Sequence, residues 1–312
     1  MAAVSDGRTR AEHVAAALLE HARLSDADAA RRIANARDDA YWRALVPDRP
    51  GGVAKMPSAV DVRAACQHLR DEGYFQTPPI LREEALARCN HVVDAVVAAG
   101  WPPVFAWIYD EIWQCSRLPE VQTILTSALG AGYRQIPHLW IHEVPAVAGA
   151  AGWPPHFDGW GRARASVWIA LTDATLANGC MHVVPRPALA AASFSGDWQA
   201  GLTVPIADAV RALHGSRALP APPGSALGWT FDVLHWGGPV ESEERHPVRR
   251  AISMEFIAAG EPPQPHETPL LDASGALPVF GARVQMIARA LGTYEHFEPR
   301  LARWRAVAAD LA

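Results

Sequence analysis

The chain changes character at Gly132, and that break constrains the fold more than any other feature. Upstream of it, apolar residues recur at helical spacing, as in Val14, Leu18, Leu19 and Ala22. The pattern predicts one or two amphipathic helices over residues 9–45, a loop at 47–57, and further helices near 60–69, 82–99, 105–115 and 119–129. Downstream, short runs rich in Val, Ile, Trp and Phe alternate with Pro and Gly clusters, predicting strands over 133–144, 165–172, 181–184, 225–234 and 248–258. Helical periodicity returns at 279–291 and 299–311. Short strands at this spacing point to a β-sandwich or barrel. The chain therefore reads as one α+β domain over residues 1–312: mainly helical to about 130, a β core over about 131–260, and C-terminal helices over about 275–312.

Composition narrows the function. Half of the 312 residues are apolar and a fifth are charged, enough to bury a substantial core. A formal charge of −5 with no long run of Lys or Arg lacks the footprint of a nucleic-acid binder. The first residues are interrupted by Asp6, Arg8, Arg10 and Glu12, and no stretch reaches ~20 apolar residues, so the expectation is a cytoplasmic protein without a membrane partner. Cys66, Cys89, Cys115 and Cys180 are widely spaced, which suggests buried thiols and neither a zinc knuckle nor a disulfide framework. Twelve Trp residues suggest an interior lined in part by aromatic side chains.

Chemistry enters at Pro155-His156-Phe157-Asp158-Gly159. In an extended segment, residues two apart project to the same face, so His156 and Asp158 can share one metal. A second histidine stands far along the chain. Leu227, Trp229, Phe231, Val233 and His235 fall on one alternating face just before Gly237-Gly238-Pro239. Two imidazoles and one carboxylate form the facial triad of non-haem Fe(II) oxygenases, which leaves coordination positions open for reactants. On the strand predicted at 133–144, Arg134, Ile136, His138, Trp140 and His142 share a face, so His138 and Trp140 are candidates to line a cavity. Trp160 and Arg164 follow His156 and Asp158 closely and are candidates for substrate contact.

These pieces sit inside a longer pattern. After His156 and Asp158 come Ser166-Val167-Trp168-Ile169-Ala170-Leu171-Thr172-Asp173, then Asn178-Gly179-Cys180-Met181-His182-Val183-Val184-Pro185, then His235, then Arg249-Arg250-Ala251-Ile252-Ser253. The whole resembles the phytanoyl-CoA dioxygenase family of Fe(II)/2-oxoglutarate oxygenases, and Leu69-Arg70-Asp71-Glu72-Gly73-Tyr74 resembles that family's opening segment. The resemblance implies a double-stranded β-helix (jelly-roll, cupin-like) core with N-terminal helices packed on its major sheet. It implies iron held by His156, Asp158 and His235, and 2-oxoglutarate held at its distal carboxylate by Arg249, with Trp168 and Ser253 beside it. Arg250 is the rival anchor; the family's register at Arg-Arg-Ala-Ile-Ser favours Arg249. Two departures stand out: Arg186-Pro187-Ala188 replaces the family's Gly-Ser-His, and a charged insert runs from Glu241 to Arg245.

The activity implied is O2-dependent hydroxylation of a small organic molecule, such as an amino-acid derivative or natural-product intermediate, with 2-oxoglutarate converted to succinate and CO2. Related halogenases carry a small residue where this chain has Asp158, so a carboxylate there favours hydroxylation. The competing readings are a cupin-like metal enzyme that works without 2-oxoglutarate and a non-catalytic small-molecule binding protein on the same fold. Substrate identity, reaction outcome and oligomeric state stay open at this level.

Overall fold

The structure is a computed structural model that describes residues 24–47, 60–159, 161–191, 206–241 and 248–312. The described residues divide into two compact units, one of residues up to Pro47 with Val279–Ala312 and one running up to Pro278.

The first unit is helical. Ser25 caps Asp26–Arg37 by accepting a hydrogen bond from the Asp28 amide, and Asp38 closes that helix and caps Asp39–Leu45 through the Ala40 amide. The C-terminal part contributes Phe280–Thr293, a 3-10 turn at Pro299–Trp304 and Arg305–Leu311. These match the helices predicted at 279–291 and 299–311, with the second beginning as a tighter turn after Pro299.

The second unit holds two antiparallel sheets. Its strands are β1 (Tyr74–Pro79), β2 (Arg134–Val144), β3 (Arg164–Ala170), β4 (Met181–Val184), β5 (Arg217–Leu219), β6 (Ser225–Thr230), β7 (Leu234–Gly237), β8 (Arg249–Ile257) and β9 (Leu271–Asp272). The larger sheet runs β1-β6-β3-β8-β2-β9 and the smaller β5-β4-β7. Isolated bridges Ala151↔Pro239 and His156↔His235 lay the segment after β2 along β7, at the edge of the smaller sheet.

Helices Arg63–Glu72, Glu83–Ala98 and Pro119–Leu129 and the 3-10 turn Pro103–Ile108 pack on the larger sheet. Side-chain alternation identifies the covered face, because Arg250 of β8 reaches Asn90 and Asp94 of Glu83–Ala98. Ile252, Met254 and Phe256 share that face, all buried. Gly228 shows how tight this layer is: a Cβ there would stand 2.3 Å from the Phe75 ring. Arg249, Ala251, Ser253 and Glu255 look the other way, toward the smaller sheet.

Three expectations are corrected. The single strand predicted over 225–234 is broken by a turn at Thr230–Val233, closed by the Val233 amide on the Thr230 carbonyl at 3.0 Å and by Thr230 Oγ1 donating to Asp232. His235 therefore does not continue the face of Leu227 and Trp229; it begins β7 in the other sheet. Tyr74–Pro79, read as a helix separator because of Pro78-Pro79, is a strand at the sheet edge, where an absent amide proton costs no ladder bond. Helices Arg186–Ala191 and Ile206–His214 and strand β5 had no expectation. Residues 9–23, 48–57 and 242–245 lie outside the described residues. No described helix is long and apolar enough to cross a membrane.

Candidate metal centre

His156, Asp158 and His235 come together between the two sheets, their ligand atoms all within 4.8 Å of one another. Backbone pairing creates the meeting: the His156 and His235 amides and carbonyls exchange two hydrogen bonds of 3.0 Å. This sets the two rings side by side, centroids 4.3 Å apart.

Each ring is oriented by its other nitrogen. His156 Nδ1 lies 2.7 Å from the Pro154 carbonyl and His235 Nδ1 lies 3.1 Å from the Val233 carbonyl. A carbonyl only accepts, so Nδ1 carries the proton on both rings and Nε2 presents its lone pair. Asp158 is prepared in the same way. Its Oδ2 accepts from Ser166 Oγ and from Trp229 Nε1 at 2.8 Å, while Oδ1 faces His156 Nε2 at 3.6 Å and His235 Nε2 at 3.5 Å. Burial opposes the Asp158 charge, but in the metal-free protein His235 and His156, when protonated at Nε2, together with the Ser166 hydroxyl outweigh it and hold the carboxyl well below the usual carboxylate range; a bound cation takes the place of those protons. Two neutral imidazole nitrogens and an ionised carboxylate oxygen, each fixed by an outer hydrogen bond, fit a divalent transition metal.

Arg249 and Arg250 are separated by strand alternation. Arg250, on the helix face, is tied to Glu143 at 2.6 and 2.9 Å, to Asp94 at 2.9 Å and to Asn90 at 3.1 Å. Arg249 is 2% exposed, yet no carboxylate among the described residues meets it. Its Nε has no partner and its Nη1 reaches only the Met181 sulfur at 3.7 Å. Burial pulls its pKa down to about 10. Glycine makes the room: a Cβ on Gly152 would lie 2.6 Å from Arg249 Nη2, and one on Gly237 would lie 2.8 Å from it.

The strand register arranges the other expected residues. Trp140, Ser253 and Trp168 form one row across β2, β8 and β3. Trp168 is 1% exposed and its Nε1 has no partner. Ser253 Oγ is 3.1 Å from His142 Nε2. Between this row and Arg249, the next row is His142, Ala251 and Ala170, whose small members leave space. His138 pairs with Glu255 at 2.7 Å. The guanidinium of Arg164, expected near substrate, is taken up by Glu267 at 2.7 and 3.0 Å, Glu261 at 2.9 Å and the Pro262 carbonyl at 2.9 Å. Trp160 lies outside the described residues.

The sequence reading passed over several contributors. His142 shares the inner face with Trp140, and its pKa falls to about 3, first through burial and then through the charge of Arg249. Alternation placed it on the right face, but nothing in the sequence showed what it faces. Ser166 and Trp229 were legible as inward strand positions, but their bonds to Asp158 depend on two strands meeting the loop that carries it.

The sequence model of the phytanoyl-CoA dioxygenase (PhyH) family matches residues 58–251, a span that includes His156, Asp158, His235 and Arg249. The chain belongs to the PhyH family. Among curated protein sequences nothing matches. Solved structures with a similar fold include the epimerase SnoN in complex with Fe3+, alpha ketoglutarate and nogalamycin RO, at 18% identity and TM-score 0.52, covering 64% of this chain and 84% of that one. The non-heme monooxygenase ThoJ in its Ni complex gives 19% identity and TM-score 0.53, covering 76% and 99%. The non-heme alpha ketoglutarate dependent carbocyclase SnoK from nogalamycin biosynthesis gives 20% identity and TM-score 0.50, covering 67% and 96%. In this PhyH chain the helices and antiparallel sheets thus carry a fold shared with non-haem metal enzymes.

Proposed function

We propose that this PhyH-family chain is a single Fe(II)- and 2-oxoglutarate-dependent oxygenase domain that hydroxylates an unactivated C–H bond of a small organic molecule. The observation that carries the reading is Arg249, a buried guanidinium with no carboxylate partner among the described residues, on the same inner strand face as the residues around the triad. An unpaired buried cation is costly, and the distal carboxylate of a dicarboxylate would satisfy it through two parallel hydrogen bonds. Arg250, already paired on the far face, is not available for that task.

His156, Asp158 and His235 would hold iron on one face. The one row of His142, Ala251 and Ala170, next to Arg249 on the strand face, would leave a slot for the 2-oxoglutarate chain, with Trp168 Nε1 and the His142–Ser253 pair at its wall. When bound, iron and 2-oxoglutarate supply the oxidising power, coupling O2 reduction to release of succinate and CO2. The protein's part is to keep the three ligands in their metal-ready protonation states, to orient the dicarboxylate toward Arg249 and to exclude water around Trp140, Trp168 and Trp229, all 3% exposed or less. The interleaved strand order, with β3, β6 and β8 in one sheet and β4, β5 and β7 in the other, supports a double-stranded β-helix. Asp158 as third ligand favours hydroxylation over halogenation. SnoN and SnoK, an epimerase and a carbocyclase, illustrate other outcomes on this fold.

The test is anaerobic titration of the purified protein with Fe(II) and 2-oxoglutarate, following the visible metal-to-ligand charge-transfer band of the chelate. The expected result is a band in the wild type, none in His156→Ala, and one requiring far more 2-oxoglutarate in Arg249→Ala. Bound metal without a band would overturn the 2-oxoglutarate assignment.

A further inference from the structure

Beyond the triad and the Arg249 pocket, the inner face of the larger sheet carries one more group of ionisable side chains that the chemistry above does not use. It centres on Glu255 of β8 and His138 of β2. Resting on the oxygenase reading, we propose that Glu255, held by His138, is the recognition group for substrate, and that it takes a hydrogen-bond donor, an ammonium or hydroxyl, next to the metal.

Position is the first argument. Glu255 pairs in register with Ser166, and Ser166 with Trp229, so the three form one row across β8, β3 and β6. Ser166 and Trp229 are the two residues that hold Asp158 Oδ2. Side chains paired across neighbouring strands stand about 5 Å apart at Cβ, which puts Glu255 beside the metal ligand. Arg249 is six residues back on the same strand face, roughly 20 Å along an extended chain. The dicarboxylate is drawn to the Arg249 end. The Glu255 end is left for the molecule to be oxidised.

Availability is the second. His138 Nδ1 bonds Glu255 Oε2 at 2.7 Å, which ties that oxygen to the imidazole. Glu255 Oε1 receives no donor from any described residue. The pair is mostly enclosed, with side chains 14% and 16% exposed, and the His138 ring stacks on His266 at 5.4 Å and 4°. Arg164 braces that segment through Glu261, Pro262 and Glu267. The wall is hydrogen-bonded on both sides of the pair, and Glu255 Oε1 on it is open.

Charge selects the partner. Burial depresses the His138 pKa, but the Glu255 carboxylate and the His266 carbonyl more than offset it, which favours the imidazolium. Burial raises the Glu255 pKa, His138 opposes that rise, and Asp158 and Glu267 add to it. The wall then holds Glu255, Glu261 and Glu267 against His138 and Arg164, three acids to two bases. A donor completes Oε1, whereas a carboxylate or phosphate meets like charge.

The experiment uses three probes of one shape, cyclohexylammonium, cyclohexanol and cyclohexanecarboxylate, titrated into the anaerobic Fe(II)–2-oxoglutarate complex of the full chain while its charge-transfer band is followed. The expected result is that the ammonium and the alcohol perturb the band at concentrations at least ~10-fold lower than the carboxylate. Glu255→Gln should erase the preference for ammonium over carboxylate while the band itself persists, which shows that the variant folds and chelates. Equal response to all three probes, no response to any, or an unchanged order in Glu255→Gln would overturn the assignment. A wild-type protein that never forms the band fails earlier, at the oxygenase reading, and that failure is seen before any probe is added.

Discussion

Replacing Arg249 by Met should move stability and co-substrate affinity in opposite directions. The guanidinium is 2% exposed and its pKa drops from 12.5 to about 10 through burial. A shift of that size corresponds to a penalty of about 3 kcal/mol for keeping the charge buried. Met keeps most of the side-chain length and removes the charge, so the ligand-free protein should gain about 1–3 kcal/mol toward urea, after some loss of packing. The 2-oxoglutarate complex should lose about 3–4 kcal/mol, because the distal carboxylate would then be buried unpaired, and affinity should fall by roughly 100- to 1,000-fold. Urea unfolding of the metal-free protein measures the first effect, and anaerobic titration of the charge-transfer band measures the second. Saturating 2-oxoglutarate with Fe(II) should protect the wild type against urea and leave the variant unprotected. If Arg249→Met unfolds earlier than the wild type and binds 2-oxoglutarate as well, Arg249 is a structural residue and the reasoning is wrong.

Further outcomes follow from the same geometry. Ser166→Ala removes one of two donors to Asp158 Oδ2, and Fe(II) affinity should fall about 10- to 100-fold by calorimetric titration, with secondary structure intact. Gly237→Ala places a Cβ 2.7 Å from Gly152 Cα and 2.8 Å from Arg249 Nη2; displacing the guanidinium should weaken 2-oxoglutarate binding by roughly 10-fold or more while metal binding persists. His142 has a folded pKa of about 3 against 6.5 when free, so above pH 6.5 it is neutral in both states and exerts no pull. As pH falls from 6.5 toward 3, the unfolded chain takes a proton that the folded one refuses. Stability of the metal-free protein should therefore drop by about 2 kcal/mol at pH 5, a slope that urea titrations of His142→Gln should flatten.

The sequence reached the candidate metal ligands because their spacing is a local property. His156 and Asp158 are two residues apart, and extended backbone alone sends both to one side. Alternation likewise divided Arg249 from Arg250, and helical periodicity located the helix at Pro119–Leu129 residue for residue. His235 was found for a reason that needed correction: it was taken as the end of one long strand face, whereas the chain turns at Thr230–Val233 and carries it into the second sheet. Arg164 shows the opposite limit. Its neighbourhood in sequence suggested substrate, but Glu261 and Glu267, some hundred positions later, claim its guanidinium.

What the sequence by itself determined, then, is the candidate ligand set, the helix-then-strand order of the chain and the alternation of faces within each unbroken strand, because these depend on backbone periods of 3.6 and 2 and on residue chemistry. What only the tertiary structure decided is which atoms those residues meet: the carbonyls of Pro154 and Val233 that fix both imidazole tautomers, the Ser166 and Trp229 donors on Asp158, the glycines that make room for an unpaired Arg249, and the pairing of His138 with Glu255. Those contacts join positions far apart in the chain, and no local period encodes them; they exist only once strand register and sheet closure bring the segments into reach.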